Sequence, residues 1–257
     1  MLLMTNRVHI LGVPFDPFTS EEVQVKLHQF LDDNTGMQYH CMTPNNEMVV
    51  MAQRDQNFMD IVQNSHLNLA DSTGILLVSA LTGQRLPCRN TGVDTVQDFC
   101  KNLGADSPIF LLGAAPGVAQ KTAEILQGFN PLLRVVGTDD GWSNDDDAPR
   151  IIQKINDCKP HLLLVAFGAP KQDEWIAKYL ANMPSVRVAM GIGGTFDFIA
   201  GTQIRAPKIM RKFGLEWLYR LVREPKRFKR IFNAVIVFPS LCLLGLFQSG
   251  QYQSNGR

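Results

Sequence analysis

The sequence predicts an α/β fold: a parallel sheet between layers of helices, followed by a basic, helical C-terminal appendage. Three observations carry this. First, short apolar runs at 108–112, 161–167 and 186–190 lack the alternation of half-exposed strands, so each reads as a strand buried on both faces. Second, each run ends in a glycine turn (Gly113-Ala-Ala-Pro-Gly117, Gly168-Ala-Pro-Lys-Gln172 and Gly191-Ile-Gly-Gly194), and the first two turns lead into helical stretches. Third, the charge is split. Arg205 to Arg230 holds ten Arg and Lys against Glu216 and Glu224, a net +8. The whole chain is +1 and Arg257 is the only charge after residue 230, so residues 1–204 carry −8. An acidic body with a basic end points to an anionic partner at that end.

The elements follow in order. Met1–Ile10 is mildly apolar but interrupted by Arg7 and His9, a lead into a strand rather than a signal peptide. Residues 19–33 form a first helix, with Thr19 or Ser20 as cap, Glu21 and Glu22 in the first turn, and Val23, Leu27, Phe30 and Leu31 at helical spacing. Tyr39–Met42 is a short strand ending at Thr43-Pro44-Asn45, and Asn46–Asp55 is a helix. The helices after the first two glycine turns run to Leu126 and to about Leu180. Asp145-Asp-Asp147 contains the D-x-D pattern that can hold a divalent cation, but it precedes a helical stretch at 148–155 and reads as that helix's acidic start. No metal and no cofactor are expected.

Lys208–Phe213 and Leu215–Phe232 read as helices broken at Gly214 and Pro225. Ile231–Phe247 is strongly apolar but holds Asn233 and Pro239, and its 17 residues fall short of the ~20 needed to span a bilayer. A basic amphipathic stretch followed by an apolar one fits an interfacial anchor; the competing reading is a core or oligomer-interface helix. Gln248–Arg257 reads as disordered. The resulting division is a Rossmann-like core at 1–204, an appendage at 205–247 and a tail at 248–257.

Composition narrows the function. Hydrophobic residues at 45% and charged residues at 19% are ordinary for a globular chain. Five scattered cysteines without a C-x-x-C pair argue against a disulfide framework or a zinc site, and fit a reducing compartment. There is no G-x-G-x-x-G fingerprint, so a dinucleotide enzyme is not indicated. Glycine turns at strand ends still make phosphate sites through their backbone N–H groups. Phe213, Trp217, Tyr219 and Phe228 interleave with cations, as in a nucleotide- or RNA-binding module. The apolar run suits lipid better, and no nucleic-acid partner is expected.

Several segments together resemble the WecG/TagA/CpsF glycosyltransferase family, the bacterial N-acetylmannosaminyltransferases. They are Thr43-Pro-Asn-Asn-Glu-Met48, Ala70-Asp71 with Gly74, Arg89-Asn-Thr-Gly-Val-Asp94, Phe110-Leu-Leu-Gly113, Gly137-Thr-Asp-Asp-Gly141, Gly168-Ala-Pro-Lys-Gln172, Gly191-Ile-Gly-Gly-Thr-Phe-Asp197, Arg205-Ala-Pro-Lys208, Leu215-Glu-Trp-Leu-Tyr-Arg220 and Arg223-Glu-Pro225. Each is loose alone; their ordered combination is specific. The resemblance implies an inverting enzyme that moves a sugar, foremost N-acetylmannosamine, from a UDP-sugar donor to an undecaprenyl-diphosphate-linked GlcNAc in surface-polymer or teichoic acid synthesis. The alternative donors are UDP-glucuronate and UDP-glucose. It further implies a cytoplasmic protein, peripheral on an anionic membrane surface at the inner face of the cell membrane, and a homo-oligomer, dimer or trimer.

Site residues follow from the same resemblance. Asp71 is the expected base, against a plain helix-cap role. Thr43, Asn45, Arg89 and Gln172 are expected in the sugar pocket, where Thr43 and Asn45 would otherwise be turn residues around Pro44. Gly113, Gly141, Trp142, Gly193, Gly194 and Asp197 are expected around the UDP, with Trp142 in place of the family's usual Tyr. Arg220, Arg227 and Arg230 recur at spacings of seven and three and are expected to close over diphosphates, to which bidentate guanidinium groups are suited. One departure stands out: Ser72-Thr73 precede Gly74 where the family has Gly directly after the Asp.

Overall fold

The structure, a computed structural model, describes residues 7–245. The first six residues and the tail expected at 248–257 lie outside the described residues. The chain opens with a two-stranded antiparallel hairpin, β1 (Val8–Ile10) and β2 (Val13–Phe15). Its two-residue turn, Leu11-Gly12, has φ of +50° and +79°, the left-handed pair that matches strand twist in tight hairpins. Helix α1 (Ser20–Leu31) starts at a full capping box: the Thr19 hydroxyl accepts from the Glu22 amide, and the Glu22 carboxylate accepts from the Thr19 amide.

Then come β3 (Tyr39–Met42), α2 (Asn46–Ala52), α3 (Gln56–Asn64), β4 (Leu67–Asn68), α4 (Thr73–Leu81) and α5 (Gly92–Asn102). The second half alternates β5 (Ile109–Gly113), α6 (Val118–Phe129), β6 (Val135–Asp139), α7 (Ala148–Cys158), β7 (Leu162–Ala166), α8 (Lys171–Tyr179), β8 (Val188–Gly191) and α9 (Thr195–Ile199). The six strands after the hairpin form one parallel sheet in the order β4-β3-β8-β7-β5-β6. β3, β5, β7 and β8 are buried at every residue, as the unalternating apolar runs of β5, β7 and β8 demand. The α/β fold with its parallel sheet between helices is therefore as expected.

Two apolar layers cover the sheet: α1, α5, α6 and α9 on one side, α7 and α8 on the other. A third cluster joins the hairpin to α2, α3, α4 and the C-terminal helix. Because β3 steps outward to β4 while β5 and β6 build the opposite side, loops diverge above the carboxyl ends of β3, β8 and β7. Crevices form at such switch points in open parallel sheets.

Beyond α9 lie two short helices, α10 (Lys208–Lys212) and α11 (Glu216–Arg223), and then a helical stretch over Pro225–Gly245. The chain breaks at Gly214 and Pro225, as its sequence indicates. The last stretch is longer than the apolar run alone. The cations of 226–230 continue into it, and a π turn at Asn233–Val237 takes up the strain of Pro239, so the 21-residue helix reaches a length and composition that can cross a membrane. In this structure it lies on the protein. Phe238 and Cys242 are buried in the third cluster, while Phe232, Ile236, Leu243 and Leu244 are exposed. One stripe thus behaves as core and the other as an open apolar face.

Candidate active site

A cleft of about 420 Å³ opens at the divergence point. Four loops at strand ends form its floor. After β3, the Thr43 hydroxyl donates to the Gly191 carbonyl (3.4 Å), and Asn45 caps α2 by accepting from the Met48 amide (3.1 Å) while also lining the cleft. After β7, Gln172 sits buried in the first turn of α8 and accepts from the Gly193 amide (2.8 Å), joining the β7 and β8 loops. Gly191 leaves room for these side chains: a Cβ would lie 2.2 Å from the Asp173 carboxylate and 2.7 Å from the Gln172 side-chain amide. Gly193 takes φ +55°, and Gly193, Gly194 and Asp197 line the cleft around the start of α9. The Asp197 carboxylate accepts from the Thr202 hydroxyl (3.1 Å).

After β4 comes Asp71. It is not the helix cap: Ser72 holds that position, and α4 begins at Thr73. The Asp71 backbone is fixed by its amide donating to the Pro44 carbonyl (3.1 Å). Its carboxyl lines the cleft, and burial pushes it up to about 7. Arg220, Arg89 and Arg205 pull the other way, and Glu216 adds to the rise. Desolvation thus outweighs three nearby cations, leaving a carboxyl that exchanges its proton near neutrality, where general bases work best.

The other wall comes from the appendage. Arg220, on α11, contacts Glu216 at 3.1 Å and lies 4.9 Å from the Phe198 ring centroid. Arg89 is mostly covered and lies 3.6 Å from the same Glu216. Arg227 pairs with Glu224 (2.5 Å), and Arg230 is held by the buried Glu47 of α2, at 2.8 and 2.9 Å from its two oxygens. Arg205 makes a two-pronged contact with Asp94 (2.6 and 2.7 Å) and touches Thr91. Thr43, Asn45, Asp71, Arg89, Gln172, Gly193, Gly194, Asp197, Arg220, Arg227 and Arg230 therefore share one cavity.

Three residues expected around the UDP do not line this cavity. Gly113 packs tightly beneath Phe167, and Gly141 is wedged between Asp139 and Ile151. Trp142 is 71% exposed. The cause is strand order: β5 and β6 lie beyond β7, and β6 is the sheet edge. There Asp139 accepts from Arg150, Lys154 and the Gly141 amide, so its carboxyl is held far below the usual range and the loop is pinned to α7. Asp145 is engaged by Lys178 and Tyr179, and Asp147 by Arg150, just before α7. Among the described residues no cluster of three or more His, Cys, Asp or Glu is placed to hold a metal.

Arg205, Glu216, Asn46 and Glu47 line the cleft without having been assigned roles from sequence. Their signals were present but weak: an acid in a strongly basic segment, and a polar pair at a helix start that reads as ordinary capping chemistry.

The chain can now be set against known proteins. A sequence profile described as "Glycosyl transferase WecG/TagA/CpsF family" matches residues 8–251. A protein of Bacillus subtilis (strain 168) named N-acetylglucosaminyldiphosphoundecaprenol N-acetyl-beta-D-mannosaminyltransferase is 32% identical over 235 residues, covering 90% of this chain and 88% of the relative. A protein of the same name from Staphylococcus aureus (strain MRSA252) is 30% identical over 228 residues, covering 88% of this chain and 89% of its own length. With nearly all the described chain inside that match, this protein is a glycosyltransferase and belongs to the WecG/TagA/CpsF family.

Proposed function

We propose that this enzyme transfers N-acetylmannosamine from UDP-N-acetylmannosamine to the GlcNAc of an undecaprenyl-diphosphate-linked acceptor, with inversion. The observation that supports it most is the pairing, in one cleft, of a half-buried carboxyl poised near pH 7 with a wall of arginines. Asp71 takes the proton from the acceptor hydroxyl as its oxygen bonds to the anomeric carbon of the donor. The bond from that carbon to the UDP oxygen breaks on the opposite face, and its electron pair leaves on the diphosphate. Arg89, Arg220, Arg227 and Arg230 offset the growing negative charge, which is where fixed cations accelerate such a step most. Thr43, Asn45 and Gln172 hold the sugar, and Gly193, Gly194 and Asp197 meet the nucleotide.

The enzyme works peripherally at the cytoplasmic face of the membrane. The exposed Phe228, Phe232, Ile236, Leu243 and Leu244 beside the cations of 226–230 support contact with an anionic lipid surface. Incubation with UDP-N-acetylmannosamine and a GlcNAc-diphosphate-lipid should release UDP in proportion to product. Absence of release with this pair, while another UDP-sugar turns over, would overturn the donor assignment. Flotation with anionic vesicles, weakened by salt, checks the surface.

A further inference from the structure

We infer that Asn46 is a positioning residue: it seats the C-terminal helix and ties that docking to the loop that carries Asp71.

The argument starts from Pro239. In the π turn the Phe238 amide donates to the Asn233 carbonyl, five residues back, and so is not given to Ala234. Ala234's next helical donor in that register is the amide of residue 239, and proline has none. The Ala234 carbonyl is thus left without a helical partner, and the Asn46 side-chain amide donates to it at 2.9 Å. The oxygen of the same amide accepts from the Ser72 hydroxyl at 2.6 Å, and Ser72 directly follows Asp71. One side chain therefore bridges the orphan carbonyl of the tail and the residue next to the carboxyl. The space is shaped for it: a Cβ on Gly74 would fall 2.3 Å from the Asn46 nitrogen, so glycine at 74 admits the bridge. The next residue, Glu47, holds Arg230 and adds a second clasp between α2 and the same helix.

The test has an arm independent of activity, because only the catalytic consequence rests on the transferase reading above. Hydrogen–deuterium exchange is followed on the full chain without substrate. Asn46→Asp keeps the size and the acceptor for Ser72 but removes the donor to Ala234; exchange over 228–245 should rise about tenfold, and over 71–76 severalfold. Ser72→Ala should leave 228–245 as in wild type and loosen 71–76. Pro239→Ala supplies the missing amide inside the helix, so the effect of Asn46→Asp over 228–245 should shrink in that background, a rescue that general destabilisation would not give. With UDP-N-acetylmannosamine and the lipid acceptor, Asn46→Asp should lower kcat by about tenfold. Unchanged exchange over 228–245 in Asn46→Asp, or an equal effect with and without Pro239, overturns the inference. If the exchange pattern holds but wild type turns over no UDP-sugar, the transferase reading fails while the bridge stands.

Discussion

On one side of the cleft, Thr43, Asp71, Gln172 and Gly193 stand at the ends of buried strands, tied by backbone hydrogen bonds and close glycine packing. On the other, Arg220, Arg227 and Arg230 stand on short helical pieces in which no residue is buried, held mainly by carboxylates. In the proposed reaction the core wall supplies fixed geometry and the proton acceptor. The appendage supplies charge and depends on docking. The difference teaches that binding of the nucleotide and completion of the charged wall can be separated experimentally.

The largest expected effect comes from removing one wall entirely. A chain ending before Lys208 should fold, by circular dichroism, yet lose transfer by at least about 10³-fold. It should also lose stability by about 3–5 kcal/mol in denaturant titration, because Phe238 no longer fills its place in the core. Full activity in that chain would show that the appendage is no part of the site. On the core wall, Asp71→Asn should lower kcat by about 10²–10⁴-fold while UDP binding by calorimetry persists; near-normal turnover would remove Asp71 as base. A single arginine tests the charged wall: Arg220→Ala should cost about 10²-fold in turnover, with Arg220→Lys recovering only part of it.

The proton acceptor makes a pH prediction. With Asp71 near 7, kcat should rise with pH below about 7 and then level off. Stability runs the opposite way. The folded carboxyl holds its proton more tightly than the unfolded one, so its stabilising contribution is complete below about pH 4 and is lost as pH rises through about 7. Asp71→Asn should therefore raise stability at pH 8 by on the order of 1–3 kcal/mol and hardly at all at pH 4, read from melting curves. The smallest effect belongs to the Arg205–Asp94 clasp. Arg205 holds the Asp94 carboxyl down at about 2, so this contribution is present at neutral pH and lost as pH falls through about 2. The pair is half-exposed, so Asp94→Asn should destabilise by less than about 1 kcal/mol.

Much of this was legible in the chain itself. Strands β5, β7 and β8 announce themselves because burial on both faces leaves an apolar run without alternation. β6 does not, since four of its five residues are only partly buried and Gly137 interrupts it. Helix α3 carried no expectation, and of the opening hairpin only a lead into a strand was legible: its strands are three residues each, too short to show a period. In the site, the residues at the ends of β3, β4, β7 and β8 were reachable through motif order. Gly141 and Trp142 lie apart from the cavity, a placement motif order could not foresee because it says nothing of strand order. Asn46 and Glu47 escaped because their work is done against residues 234 and 230, and no local pattern reports a partner so far along the chain.

The third apolar cluster has a consequence for how the molecule is assembled. It brings Val8, Val13 and Phe15 into one core with Phe238 and Cys242, more than two hundred positions away, and a Cβ on Gly245 would lie 3.5 Å from the Leu11 side chain. During synthesis the opening hairpin emerges long before the helix that helps to cover it. The parallel sheet can pair and close first, while this corner stays open until that helix arrives. A helix made late in synthesis then seals a hairpin made early and, in the same movement, brings the arginines over the cleft.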